Sequence, residues 1–151
     1  MTEIRFYHLV RTGLERALPS LLERTLKRGW RAVVVTGSSE RTEALNNLLW
    51  TYDDRGFLPH GSAADGHAER QPIWLTETDE APNGADVLFL TDGAETANAE
   101  AFELVCLLFD GNDEEAVAEA RRRWKSYREA GHVLAYWQQD NAGRWTEAQR
   151  T

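Results

Sequence analysis

The apolar run at residues 30–36, with the sequence WRAVVVT, constrains the fold of this chain more than any other stretch. A nearly continuous β-branched run is typical of a strand that is buried on both faces of a sheet. Comparable apolar runs, several of them separated by amphipathic helical segments, lie at residues 4–10, 71–76, 85–91, 102–109 and 132–138. This alternation predicts a single α/β domain over residues 1–151, with a mostly parallel sheet and helices on both faces.

Helical periodicity appears in three segments, which are residues 12–28, 38–50 and 112–131. Between residues 70 and 110 the strand candidates have no full helix between them, which predicts a mixed arrangement of strands there. The sequence NAGRW at residues 141–145 predicts a tight turn into a short tail.

The last helical segment carries the sequence RRRWKSYR at residues 121–128, which has five basic residues and no acidic one. The chain as a whole has 25 acidic and 17 basic residues and a net charge of −8. Asn112 is the predicted N-cap of this helix, and Gly131 the residue that ends it. The predicted buried stripe consists of Ala116, Val117, Ala120, Trp124 and Tyr127.

Arg121, Lys125 and Arg128 follow one another at i, i+4 and i+7, so they share a helix face beside Trp124. A basic face next to an aromatic side chain predicts a surface for one specific acidic partner. The alternatives are an ordinary solvated helix face and a groove that binds single-stranded DNA directly. The acidic composition argues against general affinity for duplex DNA.

A second candidate surface lies in the polar loop that follows the second helix. Trp50 closes that helix, and Phe57, Leu58 and Pro59 are apolar residues within the loop. An exposed aromatic and apolar patch predicts a protein interface. The alternative is that these side chains fold back onto the core.

Other patterns limit the location and the chemistry of the protein. Cys106, the single cysteine, lies in an apolar run, which predicts a buried thiol and a reducing compartment. The sequence shows neither a signal-peptide pattern at its start nor an apolar run that could span a bilayer, which predicts a cytoplasmic protein without membrane contact. The four histidines are not at metal-ligand spacing, and no catalytic residue or cofactor is predicted.

An enzymatic alternative rests on the sequence TGSSER at residues 36–41, where a helix follows a strand. Helix N-termini bind phosphate, so a small nucleotide- or phosphate-binding α/β enzyme is the second interpretation. The glycine patterns of dinucleotide-binding and P-loop proteins are absent from the sequence.

An ordered set of motifs resembles the chi subunit of bacterial DNA polymerase III over nearly the whole chain. The motifs are FYHL at 6–9, RTEALNNLLW at 41–50, FLPHG at 57–61, QPIWL at 71–75, FDG at 109–111, RRRWKSYREAG at 121–131 and YWQQ at 136–139. The resemblance implies a Rossmann-like fold without a nucleotide site, and an accessory subunit of the clamp-loader complex without catalytic activity.

The resemblance also implies two partners, and contact with DNA only through them. The psi subunit would bind at Trp50, Phe57 and Pro59, although a helicase using the same surface is an open alternative. The acidic C-terminal tail of single-stranded-DNA-binding protein would bind on the basic helix, at Arg121, Trp124, Lys125 and Arg128. Residues 109–112, FDGN, offer no match for the apolar residue that lines the family's tail pocket after the central strand.

Overall fold

A computed structural model of the chain describes residues 2–52 and 58–150. The strands in these residues are β1 (Glu3–Leu9), β2 (Ala32–Val35), β3 (Gly61–Ser62), β4 (Ile73–Thr76), β5 (Val87–Leu90), β6 (Leu104–Asp110), β7 (Val133–Gln139) and β8 (Trp145–Arg150). The helices are α1 (Leu14–Lys27), α2 (Ser39–Thr51) and α3 (Glu114–Glu129), and short 3-10 turns lie at Ala68–Arg70 and Ala99–Ala101. The predicted α/β class is confirmed.

The eight described strands form one sheet in the order β3-β4-β2-β5-β6-β1-β7-β8. Every neighbouring pair is parallel except β7 and β8. The prediction of a mixed arrangement between residues 70 and 110 is wrong, because β4, β5 and β6 all run parallel to their neighbours. Irregular segments make these crossovers without a full helix. Asn83 anchors one of them by donating hydrogen bonds from Nδ2 to the backbone oxygens of Ala32 (3.0 Å) and Gln71 (2.9 Å).

The antiparallel pair lies at the C-terminal edge of the sheet, where the sequence predicts only a turn and a tail. The turn is confirmed, and Asp140 organises it, because its Oδ1 accepts a hydrogen bond from the backbone N–H of Arg144 at 2.9 Å. The segment after the turn is strand β8 rather than a tail. Trp145 at its start packs edge-on against Tyr7, with ring centroids 5.1 Å apart.

The sheet buries a separate apolar layer on each face. Helices α1 and α2 cover one layer, and α3 covers the other, so helices lie on both faces as predicted. All four residues of β2 are buried, with alternate side chains in the two layers, which explains its continuous apolar sequence. Across the described residues, no helix combines the length and the apolar character that a bilayer crossing requires.

Helix α3 begins one residue later than its predicted cap would place it. The N-cap is Asp113, whose carboxylate accepts hydrogen bonds from the backbone N–H groups at the start of the helix, including that of Glu115 at 3.0 Å. The predicted cap, Asn112, instead donates from Nδ2 to the backbone oxygen of Val10 at 3.1 Å. Asp113 satisfies free amides and also places negative charge at the positive end of the helix dipole. Gly131 ends the helix as predicted, with a φ of 90°.

Candidate functional site

The predicted apolar stripe of α3 packs against the sheet. Ala120 is buried, and the other stripe residues are half-buried in the same layer; they are Ala116, Val117, Trp124 and Tyr127. Phe6 of β1 lies beneath the C-terminal half of the helix, with its ring centroid 5.3 Å from Trp124 and 6.5 Å from Tyr127 in edge-on geometry. This packing fixes the rotation of α3 and therefore which of its charged side chains face water.

The basic run on α3 divides into structural and solvent-facing arginines. Arg123 is 11% exposed, and its guanidinium donates to the backbone oxygens of Ala94 (2.7 Å) and Gly93 (2.5 Å). Arg122 pairs with Glu119, and this hydrogen bond lowers the pKa of the Glu119 carboxyl. Arg123 therefore ties α3 to the neighbouring loop, and Arg122 is paired within the helix with Glu119, a carboxylate that it shares with Arg123.

Arg121, Lys125 and Arg128 are all exposed. Within residues 2–52 and 58–150, none of these three side chains forms an ion pair with a carboxylate. The structure thus brings together three of the predicted residues as unneutralised cations, and places Trp124 between them and the sheet. The positive face remains available to an acidic ligand.

An aromatic cluster that the sequence reasoning missed lies beside this face. Tyr136 of β7 has its ring centroid 6.0 Å from Trp124 and 6.1 Å from Phe109. The Tyr136 hydroxyl lies 2.6 Å from His8 Nδ1 on β1. Burial raises the pKa of Tyr136, while the nearby positive charge of Arg121 acts in the opposite direction.

Strand register explains why the cluster was missed. His8 pairs with Phe109 on β6, and Phe6 pairs with Tyr136 on β7, both across parallel neighbours of β1. The alternation of β1 indicates that Phe6 and His8 share a face, but nothing in the sequence alone shows that β1 lies between β6 and β7. Without the strand order, these side chains cannot be assigned to one site.

Val10, directly after β1, supplies exposed apolar surface. Residues 109–112 offer no match for the apolar residue that the family resemblance leads us to expect there. Its side chain is 50% exposed, and its backbone oxygen accepts the hydrogen bond from Asn112. Gly111 lies directly beside it, because a Cβ placed at Gly111 would come within 2.8 Å of Val10 Cγ2. An apolar residue therefore lies near the segment after the central strand, but it belongs to the residues that follow β1.

The second predicted surface is partly described. Trp50 is 51% exposed at the end of α2, and its ring centroid lies 4.3 Å from that of His60. Pro59 is half-buried, whereas Leu58 is buried in the core, so the loop does fold back in part. Phe57 lies outside the described residues.

His60 lies close to two backbone oxygens. It is buried, and its Nδ1 and Nε2 lie within hydrogen-bonding distance of the backbone oxygens of Leu58 and Asn46, the latter at 3.0 Å. These contacts hold the segment that carries Pro59 against α2.

The turn at the start of α2 gives little support to the enzymatic alternative. Ser38 caps the helix, accepting from Arg41 N at 3.2 Å. The Asp92 carboxylate oxygen Oδ2 accepts hydrogen bonds from Gly37 N (3.3 Å) and Arg41 Nε (3.2 Å). An internal carboxylate therefore lies where a bound phosphate would need to sit.

The cleft at the carboxyl ends of β1, β5 and β6 is also unsuited to phosphate. Its volume is about 820 Å³, and its lining includes six carboxylates, those of Glu15, Asp92, Asp110, Asp113, Glu115 and Glu119, but only three arginines. In open α/β sheets this cleft is the usual ligand site. The excess of negative charge here disfavours nucleotide binding.

Cys106 is fully buried in the core, as its apolar surroundings predict. Burial raises the pKa of its thiol to about 12, so the thiol stays protonated at neutral pH. A protonated, inaccessible thiol is a poor nucleophile.

Comparisons with known proteins add an independent result. Residues 1–135 match the sequence model of a family described as "DNA polymerase III chi subunit, HolC". Over 97 residues the chain is 32% identical to the "Probable DNA polymerase III subunit chi" of Rickettsia prowazekii (strain Madrid E). That alignment covers 64% of this chain and 59% of the relative. The family match ends just before Tyr136, so most of the β7–β8 hairpin lies outside it.

Proposed function

Because the chain belongs to the family of DNA polymerase III chi subunits, we propose that it acts as a non-catalytic adaptor in DNA replication. One surface binds the psi subunit and so connects the protein to the clamp loader. The other surface binds the acidic C-terminal tail of single-stranded-DNA-binding protein. The protein reaches DNA only through these partners and works in the bacterial cytoplasm, where the chromosome is copied.

The observation that carries this proposal is the unneutralised basic face of α3 beside the aromatic cluster. Arg121, Lys125 and Arg128 are exposed cations on a protein of net charge −8. Arginine binds a carboxylate through two parallel hydrogen bonds, and further cations attract the acidic residues that precede the chain end. Trp124, Tyr136 and the exposed Val10 offer apolar contact for an aromatic side chain at the end of the tail.

The test is a calorimetric titration with a peptide that copies the tail of the host's single-stranded-DNA-binding protein. Binding at a partly exposed cationic face should weaken as salt screens the charges. Salt-sensitive binding at one site supports the proposal. Failure to bind at either low or high salt contradicts the assignment of this face to the tail.

Arg121→Ala and Lys125→Ala are each expected to weaken binding of the tail peptide by about 1–2 kcal/mol, because each removes a charge-assisted contact in a partly screened site. Arg122→Ala is the matched control, since it removes the same charge from the same helix but from an arginine already paired with Glu119. The three variants are compared by calorimetry at one salt concentration. If all three variants lose the same amount of binding free energy, the effect comes from net charge alone and the assignment of the site is wrong.

Trp50→Ala is expected to abolish stable binding of the psi subunit and to leave tail affinity unchanged. Because the Trp50 side chain is 51% exposed, the free energy of unfolding should change by less than about 1 kcal/mol. Co-purification with psi and urea denaturation measure the two effects. Val10→Ala, which alters a side chain exposed to the same extent on the other surface, should retain psi. A large loss of stability in Trp50→Ala would instead identify Trp50 as a core residue.

A further inference from the structure

Tyr136 lies where the basic face of α3 meets the sheet, and its hydroxyl group is the feature that the proposed function does not yet use. The ring packs beside Trp124, the hydroxyl lies 2.6 Å from His8 Nδ1, and the charge of Arg121 acts on it. Tyr136 is half-buried, so part of it faces solvent.

The hydrogen bond between Tyr136 and His8 has two possible polarities. If His8 Nδ1 accepts, the phenolic proton points at the imidazole and the Tyr136 oxygen presents only lone pairs to other groups. If Nδ1–H donates, the oxygen lone pair is occupied and the phenolic proton is free to donate elsewhere. A carboxylate ligand is acceptor-only, so it can bind Tyr136 only in the second arrangement.

We propose that the Tyr136 hydroxyl donates a hydrogen bond to the terminal carboxylate of the acidic tail, with Arg121 beside it, and that His8 is a positioning residue that holds the phenol by donating from Nδ1–H. This inference rests on the proposed function and names the group that recognises the end of the peptide. The site then distinguishes a chain-terminal carboxylate from a chain that continues or is amidated.

Two further features agree with this role. Burial raises the pKa of Tyr136, so the phenol keeps its proton, and remains a donor, at neutral pH. The His8 ring is itself confined, because Phe109 lies 5.1 Å away between ring centroids and the backbone of Gly111 closes over its Cδ2–Nε2 edge. A confined imidazole fixes where the hydroxyl oxygen is held.

The test uses two peptides with the same tail sequence, one ending in a free carboxylate and one in an amide. Tyr136→Phe keeps the ring and removes only the hydroxyl. It is expected to weaken binding of the carboxylate peptide about tenfold and to change binding of the amide peptide less than about twofold. Calorimetry with wild type and variant gives the four dissociation constants.

His8 is tested in the same way with two replacements. His8→Leu removes the N–H donor and should weaken binding of the carboxylate peptide but not of the amide peptide. Adding Tyr136→Phe to this variant should cause little further loss of affinity. His8→Asn keeps an N–H donor close to the position of Nδ1 and should restore part of that affinity. If the role of His8 is only structural, His8→Leu would weaken binding of both peptides equally, and His8→Asn would restore no affinity.

The outcomes separate this inference from the proposed function. If wild type binds the carboxylate peptide and Tyr136→Phe binds it equally well, or loses both peptides equally, the carboxylate role of Tyr136 is wrong while the adaptor function stands. If wild type binds neither peptide, the tail-binding function is wrong and this inference falls with it.

Discussion

Phe6→Ala is expected to lower the free energy of unfolding by about 3–5 kcal/mol, the range for removing a buried aromatic side chain from a packed core. Phe6 is fully buried, and its ring is the shared contact of Trp124 and Tyr127 on α3. Its removal leaves a cavity beneath the C-terminal half of the helix. Urea denaturation of both proteins, followed by circular dichroism, measures the difference.

The same substitution should weaken tail binding under conditions where the variant remains folded, because Trp124 loses the contact that fixes its position. Phe6→Leu is the control, since it keeps most of the buried volume and should cost less than about 1.5 kcal/mol. A loss below 1 kcal/mol for Phe6→Ala, on the order of a surface change, would show that α3 does not depend on this contact.

The sequence predicted those parts of the fold that local patterns encode. The continuous apolar sequence of β2 and the spaced apolar residues of α3 each follow from the period of one element, and both were correct. Strand β8 has no such pattern, because five of its six residues are exposed. Backbone pairing with β7 and the Asp140 turn hold it in place, and neither is visible as hydrophobic periodicity.

The direction of the strands was not predictable in the same way. The absence of full helices between β4, β5 and β6 predicts mixed pairing, yet all three strands are parallel to their neighbours. The irregular segment that carries Asn83 is anchored by side-chain bonds to the backbone of Ala32 in β2 and of Gln71 just before β4. Such bonds depend on the tertiary structure, so a count of helices does not reveal them.

The candidate site shows the same division. The alignment of Arg121, Lys125 and Arg128 follows from helical spacing, and the structure exposes all three as the sequence indicated. The role of Arg123 depends on the carbonyl group of Gly93, which is 30 positions away along the chain. His8 and Tyr136 are 128 positions apart and meet only because β1 lies between β6 and β7.

Gly111→Ala is expected to destabilise the protein by about 3 kcal/mol, the upper part of the usual range for overpacking. Its Cβ would lie 1.8 Å from His8 Cδ2 and 2.0 Å from His8 Nε2. Gly111 does not have a left-handed φ, so the cost comes from this clash and not from the backbone conformation. Displacing the imidazole would also break its hydrogen bond to Tyr136, so affinity for the carboxylate peptide should fall as well.

The clash is tested with a double-mutant cycle that includes His8→Ala. Shortening His8 removes the two closest atoms that the new methyl group would meet and leaves the 2.8 Å contact with Val10 Cγ2, so Gly111→Ala should cost much less in that background. Urea denaturation of the four proteins gives the coupling free energy, which we expect to be about 1–3 kcal/mol and favourable to the double variant. Additive losses would show that Gly111 is required for a reason other than the His8 ring, such as the contact that a Cβ would make with Val10 Cγ2 at 2.8 Å. A strongly coupled result would mean that the glycine after the central strand is kept small so that the histidine can stand beside the basic face of α3.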